Sequence, residues 1–402
     1  MKEKKIKRVA LAYSGGLDTS IIIPWLIENY GCEVIAFGAD LGQGDSPAAI
    51  NAKALRSGAK KSFFEDLSSE FVTDYCFPCL RAQAKYEGKY LLGTSMARPL
   101  IAKRQVEVAL REKCDAVAHG ATGKGNDQVR FELTYMSLAP QLTIIAPWKD
   151  ERWTINSREE AIDYANARKI PVPVSKKKIY SEDGNLWHLS HEGGELEDPA
   201  LEPLDRVYKI SNAIPKTPGK AEYVTVDFKV GLPVGLNGKK MKPCDLLVAL
   251  NAMGGKHGVG HDDIVENRLV GMKSRGVYET PGGTILYEAH DALERLTLDK
   301  ETLHLKQPLS LKYATLVYNG QWFTRVRESL DAFFIKSQER VTGSVRVKLF
   351  KGHATAVGTK SPYSLYDAGL GGFSNVKLYD QKDANGFIRL FGLQQRLENQ
   401  IR

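Results

Sequence analysis

Along the first 150 residues, short apolar runs alternate with segments whose apolar positions recur every three or four residues. The runs at 7–13, 33–39, 61–64, 116–119 and 142–146 predict strands; 19–29, 47–57, 97–113 and 127–138 predict the helices between them. Strands alternating with helices predict a parallel sheet covered on both faces. Pro24 falls inside the first helix, where it should kink the backbone or cost a hydrogen bond. A helix at 159–168 then meets Ile170-Pro-Val-Pro-Val174, an extended punctuation. Beyond it the period changes. Val224, Val226, Phe228 and Val230 share one face with polar residues between them, and Val345, Val347 and Leu349 repeat that pattern. Such period-2 alternation marks half-buried strands. The expected architecture is therefore α/β: a parallel-sheet nucleotide-binding domain at 1–169, an α+β domain at 170–365, and a C-terminal tail at 366–402. The tail should end in one helix, 386–402, with Leu390, Leu393, Leu397 and Ile401 in a stripe beside Phe387 and Phe391. A helix of that length is marginal alone in water, so the stripe must be covered, either by its own domain or by a second copy of the chain.

Composition narrows the class. The 402 residues are 43% hydrophobic and 26% charged, the mix of a folded globular protein. Nowhere is there an uncharged apolar run near the roughly 18 residues of a membrane helix, and five scattered cysteines make no disulfide framework, which points to a reducing cytoplasm. The net charge is +8. The first eight residues hold five basic side chains and one acidic one, so half of that excess is a solvated lead-in. A basic surface around anionic substrates accounts for the rest better than nucleic-acid binding does.

The first predicted strand runs straight into Ser14-Gly-Gly-Leu-Asp-Thr-Ser20 and a helix. Gly15 and Gly16 let the backbone turn tightly and turn bare N–H groups toward an anion. Ser14, Thr19 and Ser20 add hydroxyls, and the helix points its positive end at the same place. The loop lacks the Gly-Lys-Ser/Thr ending of a Walker motif. A cradle that grips the outer phosphates as one unit, without that lysine, suits attack at the α phosphorus with pyrophosphate leaving. A second string, His119-Gly-Ala-Thr-Gly-Lys-Gly-Asn-Asp-Gln-Val-Arg130, leaves a strand and enters a helix. It gathers Thr122, Asn126, Asp127 and Arg130: hydroxyl, amide, carboxylate and guanidinium, the set needed to hold an amino acid. Capping of the helix start would explain one of these residues but not the string.

The first loop resembles that of the PP-loop ATP pyrophosphatases. Together with Tyr90-Leu-Leu-Gly-Thr-Ser95, residues 119–130 and the long motif 266–286, in that order and spacing, the chain is similar to the argininosuccinate synthase family, from the first strand to the segment 379–384. That resemblance implies ATP contacts at Ala12, Tyr13, Ser14, Gly15, Gly16, Leu17, Asp18, Thr19, Ser20, Ala39 and Gly120. It implies citrulline contacts at Tyr90, Ser95, Asn126, Arg130, Ser181, Ser190, Glu266 and Tyr278, and aspartate contacts at Thr122, Asn126 and Asp127. It further implies ATP as a substrate and a homo-oligomer, a tetramer. Mg²⁺ should bridge the phosphates, because the loop has no lysine to offset their charge, and no resident metal, nucleic-acid partner or membrane partner is expected. Two departures stand out: Pro24, and Cys76-Phe-Pro-Cys79, where the family commonly lacks cysteine. The pair keeps one rival open, a PP-loop tRNA-thiolating enzyme that would use Cys76 and Cys79 for sulfur or metal.

Overall fold

The computed structural model describes residues 5–171, 179–372 and 379–401; part of the punctuation at 170–174, the start of the basic lead-in and Arg402 lie outside the described residues. The strands and helices of the first half follow the apolar pattern: β1 (Arg8–Ala12), α1 (Leu17–Tyr30), β2 (Glu33–Asp40), α2 (Pro47–Arg56) and β3 (Lys61–Asp66). Three short helical turns come next, α3 (Ser68–Glu70), a π-helical turn at Phe71–Cys76 and α4 (Phe77–Arg81). Then follow α5 (Gly93–Arg111), β4 (Ala116–Ala118), α6 (Asp127–Leu138), β5 (Thr143–Ile145) and α7 (Arg158–Ala167). The five strands are parallel in the order β3-β2-β1-β4-β5. Successive side chains of β1 serve opposite faces. Val9 and Leu11 pack with Ile21 and Ile22 of α1 and Ala165 of α7. Ala10 and Ala12 pack with Leu100 of α5 and Phe131 of α6. Both faces are therefore dry, as a parallel sheet requires.

One expectation holds in its second form, and one needs correction in detail. Pro24 neither breaks nor ends α1, which runs unbroken from Leu17 to Tyr30. Having no N–H, it leaves the Ser20 carbonyl without its helical partner, and burial of Ile21, Ile22, Ile23, Trp25 and Leu26 holds the helix regardless. The helix expected from 97 begins at Gly93 instead, because Leu92 takes a left-handed turn (φ 65°) that starts the helix there.

The second half opens with a polar hairpin that the apolar pattern does not announce, β6 (Ser181–Gly184) and β7 (Leu189–Glu192). After it come β8 (Glu222–Lys229), β9 (Leu232–Leu236), β10 (Lys239–Lys240), α8 (Pro243–Lys256), β11 (His261–Asn267), β12 (Lys273–Glu279), α9 (Pro281–Thr297), α10 (Lys300–Tyr318), α11 (Arg325–Ser337), β13 (Gly343–Phe350) and β14 (His353–Lys360). They form two antiparallel sheets, β10-β9-β8-β13-β14 and β11-β12-β7-β6. The hairpin is pinned to the first half. Trp187 Nε1 donates to the Leu91 carbonyl (3.0 Å), and the Asn185 amide donates to the Gly93 carbonyl (3.2 Å).

The tail holds α12 (Ala368–Gly371), α13 (Asp383–Phe391) and α14 (Leu393–Ile401). The single helix expected over 386–402 is thus two helices, divided at Gly392, whose N–H caps the Ile388 carbonyl (2.9 Å). Phe387, Leu390, Phe391 and Ile401 are 65, 76, 75 and 86% exposed, so the stripe is not folded back on its own domain.

A buried ion pair locks the second half. Lys306 of α10 lies 3.1 Å from Glu294 of α9, both charges almost wholly buried, and the Gln338 amide also donates to Glu294 (2.6 Å). Stripping one partner from such a pair leaves an uncompensated charge. Lys306→Met should therefore cost about 3–5 kcal/mol, seen as a lower urea midpoint. Adding Glu294→Leu to that variant should recover part of the loss.

Candidate active site

In an open parallel sheet the place for a ligand is outside the carboxyl ends of the strands where the order reverses. Here β1 sends its chain to β2 on one side and has β4 on the other. The loops leaving β1 and β4 therefore meet. Gly120 makes the approach possible: a Cβ there would sit 3.0 Å from the Thr19 methyl and 3.1 Å from Ile22.

At the first loop, Gly15 takes φ +76°, a conformation that an L side chain resists. Gly16 begins α1 with no side chain capping the first turn, so the leading N–H groups face outward. The Ser14 and Thr19 hydroxyls meet at 3.1 Å, and Ser20 Oγ bonds the Gly16 carbonyl at 2.6 Å. The loop carries no lysine of its own, but α2 brings one. Lys53 Nζ donates to the Gly15 carbonyl at 2.6 Å, and burial pulls its pKa down. In a trans peptide the C=O and N–H point opposite ways. Holding the Gly15 carbonyl toward Lys53 therefore turns the Gly16 N–H away from it, toward Ser14 Oγ (3.3 Å).

Two cavities flank this crossing. The smaller, about 290 Å³, is walled by Ala12, Tyr13, Phe37, Gly38, Ala39 and Phe64. The larger, about 500 Å³, is strongly polar and reaches Asp18, Tyr90, Thr122, Asn126, Arg130, Ser181, Ser190, Glu266 and Tyr278. They share one wall: Ser14, Arg98, Gly120, Ala121, Asp127 and Asp183. The residues expected to contact citrulline and aspartate thus come together around the larger space, Ser95 excepted. Ser95 is fully buried behind it on α5, and its hydroxyl has no hydrogen-bond partner among the described residues. Gly15, Gly16, Leu17 and Ser20 shape the first loop without lining either cavity.

Within the larger cavity the polar groups hold one another. The buried Glu266 carboxylate accepts from Tyr318 (2.7 Å) and Tyr278 (3.1 Å); burial raises its pKa and those phenols partly offset the rise. Burial pushes the Tyr90 phenol up to about 12, and it accepts the Thr94 N–H at 3.0 Å. Asn126 donates to the Tyr318 hydroxyl (2.9 Å) and accepts the Leu269 N–H (2.8 Å), so both ends of its amide are fixed. Arg130 bonds the Tyr318 carbonyl (3.0 Å) and Asp127 (2.8 Å). The second Asp127 oxygen takes Arg98 Nε at 2.8 Å. Burial works against the ionised form of Asp127, but the two guanidiniums outweigh it and set its pKa below the usual carboxylate range.

Sequence reasoning missed Lys53, Thr94, Arg98, Asp183 and Tyr318. Only Thr94 stood inside a quoted motif; the others lie on elements that meet the site through the fold. Ser181 and Ser190 prove to be strand residues, on β6 and β7, and Ser190 Oγ bonds the Asp183 carbonyl across the hairpin (3.2 Å). Cys76 and Cys79 stand apart, fully buried, with burial raising both thiols well above their usual range. Such thiols are inert, so the chemistry of a sulfur carrier is not available there.

Known proteins resemble this chain over most of its length. The family model for the arginosuccinate synthase N-terminal HUP domain matches residues 8–171, and that for the arginosuccinate synthase C-terminal domain matches 180–398. The chain is 62% identical over 387 residues to argininosuccinate synthase of Carboxydothermus hydrogenoformans, covering 96% of each. It is 62% identical over 388 residues to that of Desulfitobacterium hafniense, again covering 96% of each. With the chloroplastic argininosuccinate synthase of Arabidopsis thaliana it shares 57% over 399 residues, 99% of this chain and 80% of that one.

Lys53→Met should leave the fold intact and weaken ATP binding by about tenfold, since a charge-assisted hydrogen bond is worth about 1.5 kcal/mol or more. Titration calorimetry with a non-hydrolysable triphosphate reads this directly, and Lys53→Arg should restore part of it.

Proposed function

The chain belongs to the argininosuccinate synthase family, and from that premise we propose how its two cavities divide the work. The enzyme joins L-citrulline to L-aspartate with ATP, releasing argininosuccinate, AMP and pyrophosphate in arginine biosynthesis. Family membership and the inert Cys76 and Cys79 set aside the tRNA-thiolating alternative. The observation that carries the assignment is the shared wall: a nucleotide seated at the first loop and an amino acid in the polar cavity would meet there.

In this reading residues 12–20 with Ala39 and Gly120 hold ATP, its adenosine toward Phe37 and Phe64 and its phosphates over the first turn of α1. Mg²⁺ arrives with the triphosphate as part of the substrate. The oxygen donors Ser14, Asp18 and Thr19 suit such a hard cation. Citrulline lies against Tyr90, Asn126, Arg130, Ser181, Ser190, Glu266 and Tyr278, with Ser95 behind. Glu266, held between two phenols, faces its ammonium. Aspartate takes Thr122, Asn126 and Asp127. The ureido oxygen of citrulline attacks the α phosphorus, pyrophosphate leaves, and the ureido carbon becomes an O-adenylated isouronium ion. The aspartate amine then adds to that carbon and AMP departs. Holding three substrates in line is the protein's main contribution, and such positioning can replace large entropic barriers.

Beyond the site, the division at 1–169, 170–365 and 366–402 is kept as a proposal, as is a cytoplasmic home, supported by five free thiols. Among the described residues no helix is long and apolar enough to cross a membrane. Homotetramer formation through the tail is supported by the bare stripe on α13 and α14.

Two outcomes test this reading. With ¹⁸O in the ureido group of citrulline, the label should be recovered in AMP; label in pyrophosphate, or ADP as a product, contradicts it. Removing residues 383–402 should lower the mass found by light scattering, because α13 and α14 would no longer bury their apolar faces on a neighbour; an unchanged mass excludes the tail as an assembly element.

A further inference from the structure

The aspartate amine is an ammonium ion at neutral pH and must lose a proton before it can attack. Asp127, the acid expected nearest to it, is a poor acceptor. Each of its oxygens is bound by a guanidinium, Arg98 at one and Arg130 at the other, both at 2.8 Å. We propose that Asp183 is the base that takes this proton, an inference that rests on the ligase reading above.

Three observations place it. Asp183 is part of the wall common to both cavities, where an adenylated substrate and the incoming amine would meet. One carboxylate oxygen, Oδ2, is held by Arg98 Nη2 and more loosely by the Thr94 hydroxyl (3.4 Å); Oδ1 has no hydrogen-bond partner among the described residues. The backbone beneath is rigid, since Asp183 sits on β6 paired to Ser190 of β7. The shift of its proton affinity is in the same direction. Burial raises the Asp183 pKa, Arg98 pulls it back, and the charge of Asp127 raises it again. A base is more effective as its pKa approaches that of the working solution.

Of the other acids and bases lining the larger cavity, Asp18 sits in the first loop, where the reading above gives it to the phosphate-bound cation, and the rest are engaged. Glu266 carries two phenols, and Glu192 is paired with Arg268 at 2.7 Å. Glu182, on the same strand, stands 3.6 Å from His191. His188 has one ring nitrogen at the Thr94 hydroxyl (3.1 Å), and burial drops its pKa to about 3, so it is a weak base.

The step balances as follows. The ammonium gives one proton to the Asp183 carboxylate, and the freed lone pair forms the N–C bond to the isouronium carbon. The C–O bond to the adenylate breaks with its electron pair going to AMP. The second amine proton leaves with the AMP phosphate, and the product is a guanidinium.

Two rates separate this role from binding: citrulline-dependent ATP–pyrophosphate exchange without aspartate, and single-turnover argininosuccinate formation. Asp183→Asn should slow the second by about 10²–10⁴ more than the first, the usual worth of a general base. In the wild type the aspartate step should fall as pH drops through the raised Asp183 pKa. The Asn variant should lose that acidic limb, and Asp183→Glu, which keeps a carboxylate, should regain it. Hydroxylamine, a nucleophile already neutral at pH 7, should consume the adenylate of the Asn variant at the wild-type rate. An unchanged acidic limb, or equal losses in exchange and in argininosuccinate formation, overturns the assignment of Asp183. Failure of the wild type to catalyse the exchange would instead overturn the adenylation reading.

Discussion

The guanidinium of Arg98 ties the site together. It leaves α5 in the first half of the chain, bonds Asp127 of α6 through Nε, and reaches Asp183 of β6 in the second half through Nη2. The two carboxylates carry like charge and share one wall. Without a cation between them they would repel in a partly dry space, where charges are weakly screened. Arginine suits the position because its planar fork offers donors in two directions from one rigid group, which lysine cannot do. The backbone contacts of Trp187 and Asn185 hold the hairpin close enough for that fork to span the gap.

From this tie follows a division of labour between two aspartates only one strand and one helix apart. Asp127 receives two guanidiniums and is pinned as an anion; Asp183 shares one and is left more basic. Environments that drive two like groups apart in pKa give them different tasks, one electrostatic and one in proton transfer. No difference in residue type marks this. The same side chain does either job according to how many cations stand next to it.

How much could be read beforehand depended on whether a feature was local. The parallel sheet and its helices were legible because each apolar run reports burial within a few residues, and α6 came out with the very bounds expected. The first loop and residues 119–130 were legible because loops after strands carry their chemistry in one stretch. Lys53, Arg98, Asp183 and Tyr318 were not, since each is an ordinary residue on its own element until the fold brings it to the site. The β6–β7 hairpin was hidden for a related reason: Ser181-Glu-Asp-Gly184 has no apolar alternation, its inner face being a cavity wall and not a core. Gly392 was missed because one glycine inside a helical stripe is often tolerated. Here it parts α13 from α14.

On the proposed reading, a loop without a Walker lysine serves a triphosphate through a lysine from outside it. A lysine inside the loop would follow the terminal phosphate as a mobile point charge. Lys53 instead stands behind the loop and bonds its Gly15 carbonyl, so its charge is expressed through a peptide that cannot turn. The uncapped first turn of α1 adds N–H groups that need no reorganisation when an anion arrives. Donors fixed in advance stabilise developing charge better than donors that must move to meet it. For attack at the α phosphorus the leaving group is the whole pyrophosphate, whose charge is spread over two phosphates. A rigid row of amide donors, backed by one half-buried ammonium, matches that distribution more closely than a single cation at its tip.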